Sequence, residues 1–209
     1  MKKFHLTRAQ GILDNQIVES LKNNDGILFH SIPSKLLAKK PIDWNIRDQS
    51  NCPKIAFRKF SDSQIQYKSI EYGFIGNTDE EYTIWFDDGI IETFSSPIIH
   101  QTEIPNAPIV DYIQVDMIIK HTRDFINAVY QTYEKCYKYF EPFTLFISLV
   151  NVQGVFYNAR ERNYTTTLPC RENLFTIAIV IFSGQGKVEF WHEVLNEIHS
   201  SIMQLNPVR

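Results

Sequence analysis

The features of this sequence that come nearest to chemistry are its histidines. Hydrolytic catalysis requires a nucleophile, a base and an orienting group that converge, and none of the histidines stands in a local catalytic signature. The pair best suited to an enzyme with dispersed catalytic groups is His30, after an apolar stretch, and Asp88. Enzymatic activity is therefore an alternative, and we assign no catalytic residue. The histidines are His5, His30, His100, His121, His192 and His199.

A glycine-rich loop, containing Gly184, Gly186 and Lys187, lies between an apolar stretch and a helical pattern. Backbone N–H groups in such loops can hold anions. A Walker loop would also need a glycine at the position of Ile181 and a hydroxyl residue in place of Val188. These three residues are thus a candidate anion site or a plain strand-to-helix connection, and no nucleotide cofactor is predicted.

The cysteines, Cys52, Cys136 and Cys170, form no CxxC pair. Their odd number and wide spacing favour a reducing compartment and argue against a zinc ribbon. The longest apolar run, residues 174–182, is about half the length that spans a bilayer. We therefore expect a cytoplasmic protein with no metal, no cofactor and no membrane partner.

Positive charge is concentrated at the beginning of a chain whose net charge is −3. Residues 1–60 carry 11 basic and 5 acidic side chains, whereas residues 61–209 carry 10 and 19. A nucleic-acid face would need the basic groups to converge; the alternative is a solvated surface that pairs with acidic segments of the same chain. The candidates for nucleic-acid binding are Lys35, Lys39, Lys40, Lys54, Arg58 and Lys59.

A second polar surface is predicted around residues 158–171. Arginine and tyrosine are enriched among the anchors of protein interfaces. Arg160, Arg162, Tyr164 and Arg171 are accordingly candidates for contact with a protein partner, the alternative being a surface loop without a partner.

The elements that would position these residues begin with a short helix over 15–23, capped by Asp14, and a strand over 27–32. Strands then follow one another from residue 54 to residue 94, one of them over 67–74. The clearest local signal is a hairpin over 82–94, because Asp87, Asp88 and Gly89 separate two strand patterns.

The second half begins with the longest helix, from a cap at Asp116 to Phe140. A strand over 143–152, a reversal at Gly154 and a strand over 155–157 come next. An uninterrupted apolar strand over 174–182 is predicted to be covered on both faces. The last helix is expected over 188–205.

This order predicts an α+β fold, with a β-rich first half followed by a helix-strand-strand-strand-helix unit. We expect one compact domain over 1–209, with a possible subdivision into a β-rich part, 1–96, and an αβββα part, 108–209.

Four short phrases support a family resemblance. They are Ile-Leu-Phe-His-Ser-Ile-Pro at 27–33, Asp-Gly-Ile-Ile-Glu at 88–92, Ser-Leu-Val-Asn-Val-Gln-Gly at 148–154 and Phe-Trp at 190–191. In this order they resemble the region that follows the AlbA-type DNA-binding domain of bacterial Schlafen-like proteins. The AlbA-type domain itself is not among the matching stretches, so the resemblance implies a companion region used in regulation or defence, with no catalytic residue to carry over.

The sequence as a whole leads us to expect a non-catalytic sensing or partner-binding module in a bacterial regulatory or defence system. The partner would be a protein or a companion domain. The alternatives are a nucleic-acid-associated protein and an enzyme with dispersed catalytic groups.

Overall fold

The computed structural model describes stretches from both halves of the chain. The residues it describes are 2–13, 25–35, 65–78, 80–96, 98–101, 111–134, 141–158 and 170–181, together with Asn196 and Ser200. No helix within these residues is both long enough and apolar enough to cross a membrane.

Two helices and ten strands make up the described part. In chain order they are α1 (Lys2–Leu13), β1 (Gly26–Pro33), β2 (Gln66–Ile70), β3 (Gly73–Asn77), β4 (Glu81–Phe86), β5 (Ile91–Ser95), β6 (His100–Gln101), β7 (Asp111–Gln114), α2 (Val115–Thr132), β8 (Phe143–Val150), β9 (Phe156–Asn158) and β10 (Leu174–Ile181). The α+β class predicted from the sequence is confirmed.

Seven strands form one antiparallel sheet in the order β10-β8-β1-β5-β4-β3-β2. β1 is central to it, because it pairs with β5 on one side and with β8 on the other. Strands from both halves of the chain thus share this sheet. A smaller sheet, in the order β6-β7-β9, joins the segments on either side of α2.

Each face of the large sheet carries its own apolar cluster. Side chains alternate between the two faces of a strand, so Phe29 on β1 packs in the cluster that includes Phe125 of α2, whereas Leu28 packs in the one that includes Ala9 of α1. β1 is buried along its whole length as a result. The site described below lies on the α1 face.

The predicted hairpin is confirmed. β4 and β5 pair with Ile84 opposite Glu92, and Gly89 in the turn has a φ of 88°. The predicted reversal at Gly154 is also present, with a φ of 83°. Glycine fits both positions because it has no Cβ to clash in the left-handed region.

The prediction of one strand over 67–74 is wrong, because the chain turns at Glu71 and Tyr72 and returns as β3. α2 begins within a residue of its expected start, but Asp116 is not its cap; it lies in the first turn, and the N-cap is Gln114, which makes no side-chain capping bond. A first-turn carboxylate still interacts favourably with the helix dipole.

β10 is an edge strand of the sheet that the described residues form. Ile177, Ile179 and Ile181 are buried, whereas Ala178 and Val180 are exposed. The strand itself is confirmed, but cover on both faces is not. A run of apolar residues predicts a strand, but it does not show whether other elements pack on both faces of that strand, because those elements are distant in sequence.

The other predicted elements fall outside the described residues: the helix over 15–23, the strand from residue 54, the end of the long helix after residue 134 and most of the last helix. Asn196 and Ser200, within that last helix, are both helical and exposed.

Gly26 allows β1 to approach β5 closely. A Cβ at this position would lie 2.6 Å from the carbonyl oxygen of Ser95 and would overlap the ring of Phe94. We expect Gly26→Ala to lower the free energy of unfolding by roughly 2–3 kcal/mol, because the backbone of a paired strand cannot move aside freely. Urea unfolding measures this. Gly154→Ala is the control for glycine loss, since no atom lies within 4 Å of its Cβ position and only the cost of a positive φ applies; an equal loss in both variants would contradict the steric explanation.

Candidate functional site

A network of polar side chains lies buried between α1 and the large sheet. We call it the His–Glu network, and its members come from six elements. The members are His5 and Arg8 of α1, His30 of β1, Tyr82 of β4, Glu92 of β5, Ser148 of β8 and Thr176 of β10.

Strand register brings the sheet members together. His30 is directly opposite Glu92 on β5, and Ser148 is directly opposite Thr176 on β10. Side chains at opposite positions of neighbouring strands point to the same face. The pairing of β1 with both β5 and β8 therefore places a carboxylate, an imidazole and two hydroxyls on one face.

α1 completes the network through its inward face, which includes His5, Arg8, Ala9 and Ile12. These positions follow the i, i+3, i+4, i+7 spacing of one helix face. The ring of His5 stacks on Phe146 at a centroid distance of 4.9 Å. Two of these four residues are polar, and they interrupt the apolar periodicity by which the helix would be recognised.

Glu92 is completely buried, and its carboxylate accepts four hydrogen bonds. Oε2 accepts from Arg8 Nε and from His30 Nε2, both at 2.6 Å. Oε1 accepts from the other arm of the Arg8 guanidinium and from the Tyr82 hydroxyl, the latter at 2.8 Å. Since a carboxylate offers about four lone-pair sites, its acceptor capacity is used in full.

A chain of short contacts leads away from Glu92 through His30. His30 Nδ1 lies 2.6 Å from His5 Nδ1, and His5 Nε2 lies 2.7 Å from Ser148 Oγ. Ser148 Oγ is in turn 2.6 Å from Thr176 Oγ1. The order hydroxyl, imidazole, imidazole, carboxylate is that of a nucleophile, a base and its orienting groups.

The charges of the network are set by burial and pairing. Burial by itself would raise the pKa of Glu92, but the attraction of His30 and the hydrogen bonds from Arg8 and His30 outweigh it and lower the pKa to about 2. Burial also opposes the charged form of Arg8, yet the hydrogen bond to Glu92 and its negative charge raise the pKa of Arg8. Glu92 and Arg8 are therefore an ion pair.

His5 and Tyr82 are neutral. Burial, reinforced by the charge of His30 and opposed by that of Glu92, lowers the pKa of His5 to about 2. Burial, with the adjacent Glu92 carboxylate, raises the pKa of Tyr82 well above its ordinary value. His5 is thus a neutral imidazole with one N–H, and Tyr82 is a phenol that donates to Glu92.

The geometry does not suit a metal ion. Two nitrogens bound to one tetrahedral zinc ion lie about 3.3 Å apart, whereas the His5 and His30 Nδ1 atoms are 2.6 Å apart, a distance at which one hydrogen is shared. Within the described stretches, no group of three or more His, Cys, Asp or Glu side chains could hold a metal.

Few of the residues singled out from the sequence fall within the described part. Lys35 is highly exposed and lies 3.5 Å from Glu141, and Arg171 is exposed. The others lie outside it: Lys39, Lys40, Lys54, Arg58, Lys59, Arg160, Arg162, Tyr164, Gly184, Gly186 and Lys187.

His30 and Asp88 are not brought together. His30 meets Glu92, whereas Asp88 Oδ1 accepts the backbone N–H of Ile90 within the hairpin turn. Sequence reasoning missed His5, Arg8, Glu92 and Ser148. A signal for one of them existed: Ser148 stands within the apolar run of β8, and a polar side chain buried in a strand needs a partner.

Comparison with known proteins finds no matching family model, curated protein or solved structure.

Replacing Glu92 tests the ion pair. Glu92→Gln keeps the size of the side chain but removes its negative charge and leaves the Arg8 cation without a counter-ion. We expect the free energy of unfolding to fall by about 3–5 kcal/mol, as it does when one partner of a buried pair is removed. Denaturant unfolding at neutral pH measures this loss.

Lys35→Ala is the matched control, because it breaks the solvent-exposed pair with Glu141 and surface pairs contribute little. We expect no measurable loss from it. A Glu92→Gln variant as stable as Lys35→Ala would contradict the buried ion pair.

Proposed function

We propose that this protein is a non-catalytic sensing or partner-binding module whose partner is a protein or a companion domain. The observation that carries the proposal is the complete burial of His5, His30, Glu92 and Ser148. These are the residues with the order of a catalytic relay, and their polar atoms bond to one another.

Access is the physical argument against catalysis at this network. Ser148 lies mid-strand on the sheet face that α1 covers, so a substrate would reach it only if α1 moved. His5, the imidazole that contacts Ser148 within the described residues, belongs to α1. Moving the helix therefore removes the base from the nucleophile, and both cannot act together on a substrate.

The proposed binding surface is the one that includes Arg171, which is a candidate for protein contact from the sequence. Arg171 is exposed, as an interface anchor must be before its partner binds. The resemblance to the companion region of Schlafen-like proteins is our reason for proposing a bacterial regulatory or defence setting.

Covalent labelling tests the absence of catalysis. We expect a fluorophosphonate probe not to label Ser148 in the wild-type protein, because a completely buried hydroxyl cannot reach it. The measurement is mass spectrometry of the probe-treated protein, with Ser148→Ala as the control for labelling elsewhere. Labelling of the wild type that Ser148→Ala abolishes would replace this proposal by a serine hydrolase.

Partner binding needs a positive test. A photo-crosslinking residue at position 172, beside Arg171 and likewise exposed, should capture a protein in cells. The purified partner should bind Arg171→Glu at least about tenfold more weakly than the wild type. Lys120→Glu is the matched control, since Lys120 is an exposed cation elsewhere, on α2, 3.7 Å from Asp124. An equal loss in both variants would argue against a specific surface.

Fluorescence anisotropy with single-stranded and duplex DNA tests the alternative that the protein binds nucleic acid. Phosphate contacts make affinity fall steeply with salt. We expect little or no binding even at low salt. Tight binding with a steep salt dependence would favour the basic residues of the first third instead.

A further inference from the structure

The two imidazoles of the His–Glu network face each other through the same kind of atom. His5 Nδ1 and His30 Nδ1 are 2.6 Å apart, and both rings are completely buried. A hydrogen bond at this distance has one hydrogen, so one nitrogen donates and the other accepts. The protonation states of the two rings are thus coupled by geometry.

The hydrogen bonds from Glu92 to Ser148 limit the number of protons that the two imidazoles can hold. Glu92 is ionised, so His30 Nε2–H donates to it. If both rings are neutral, His30 Nδ1 must accept from His5 Nδ1–H, and His5 Nε2 must accept from the hydroxyl of Ser148. One added proton on His30 reverses these two bonds, and the network remains bonded throughout.

A second added proton has no place in this arrangement. Both Nδ1 atoms would then carry hydrogens directed at each other, between two cationic rings 4.7 Å apart. We propose that the His5–His30 pair is a proton-operated latch, which holds α1 on the sheet and releases it when both imidazoles are protonated.

Release of His5 would weaken the other contacts of α1. Arg8, on the same helix face, pairs with Glu92, while Ala9 and Ile12 pack in the apolar cluster of that side of the sheet. The charged or titratable groups that face the pair in the described residues are Arg8, Tyr82 and Glu92, and Tyr72 also acts on Arg8. Departure of α1 would uncover Phe146, on which His5 stacks, and would remove Ala9 and Ile12 from that cluster.

The direction of the pH effect follows from proton binding in the two states. The pKa of His5 is about 2 when α1 is docked, and a released His5 would have an ordinary pKa of 6.5. The released state therefore binds the additional proton below pH 6.5, and docking weakens as the pH falls. From His5 alone, the docking equilibrium should weaken about 25-fold between pH 7 and pH 5.

Glu92 does not produce an effect in this range. Its pKa is about 2 in the folded protein and 4.5 ordinarily, so its contribution is lost as the pH falls from about 4.5 to about 2. Glu92 therefore does not account for changes in the docking of α1 between pH 7 and pH 5.

Hydrogen exchange of the backbone amides tests the latch in the full-length chain. After correction for the intrinsic exchange rate, protection of α1 should fall about 25-fold from pH 7 to pH 5, while β8 stays protected. In His5→Asn, whose amide can face His30 but cannot be protonated, this pH dependence should disappear. His100→Asn, which removes a histidine of the smaller sheet, should retain it.

Three outcomes would overturn the proposal: constant protection of α1 in the wild type, an unchanged pH dependence in His5→Asn, or simultaneous loss of protection in α1 and β8, which means global unfolding. If His5→Asn does not fold, the imidazole nitrogen chemical shifts of the wild type decide. Two fully protonated rings while α1 remains protected would disprove the latch.

This inference is independent of the proposed partner. Release of α1 is measured on the isolated chain, and binding through Arg171 is measured with the partner. Each proposal can fail without the other.

Discussion

The structure depends on keeping one carboxylate ionised inside the protein. Burying a charge without partners costs several kcal/mol or more, and Glu92 is completely buried. Its four donors come from α1, β1 and β4, and no one of these elements supplies them all. The first helix, the central strand and the hairpin must therefore be assembled together before the carboxylate is satisfied.

β1 connects this requirement to the other side of the sheet. His30 points toward α1, whereas Ser31, the next residue, points to the opposite face and lies 2.7 Å from the hydroxyl of Tyr133, just after α2. The apolar clusters on the two faces supply most of the free energy of folding. The polar contacts fix the orientation of the two helices, since these contacts are satisfied only when each helix presents one particular face to β1.

The His–Glu network has the order of a catalytic relay, but its hydroxyl is buried. Hydroxyl, imidazole and carboxylate follow one another at hydrogen-bond distances, yet the base is carried by the helix that covers the nucleophile. The same arrangement makes the helix sensitive to protons, because α1 remains docked only while the two facing nitrogens share one hydrogen. Burial thus removes access for a substrate and creates a coupling between protonation and helix position.

The sequence by itself determined the features that depend on neighbouring residues. Two strand patterns on either side of Asp87, Asp88 and Gly89 predicted the hairpin. The apolar stripe after residue 115 predicted α2. The hairpin and the helix together predicted the α+β class. His30 was noticed, but its partner Glu92 was not, since the two residues are 62 positions apart. His5 and Ser148 are 143 positions apart. α1 was missed for the same reason: His5 and Arg8 look like surface residues until Glu92 and Ser148 lie opposite them. Local patterns report residue type and spacing, whereas the burial of a polar side chain depends on partners that only the assembled sheet brings into contact.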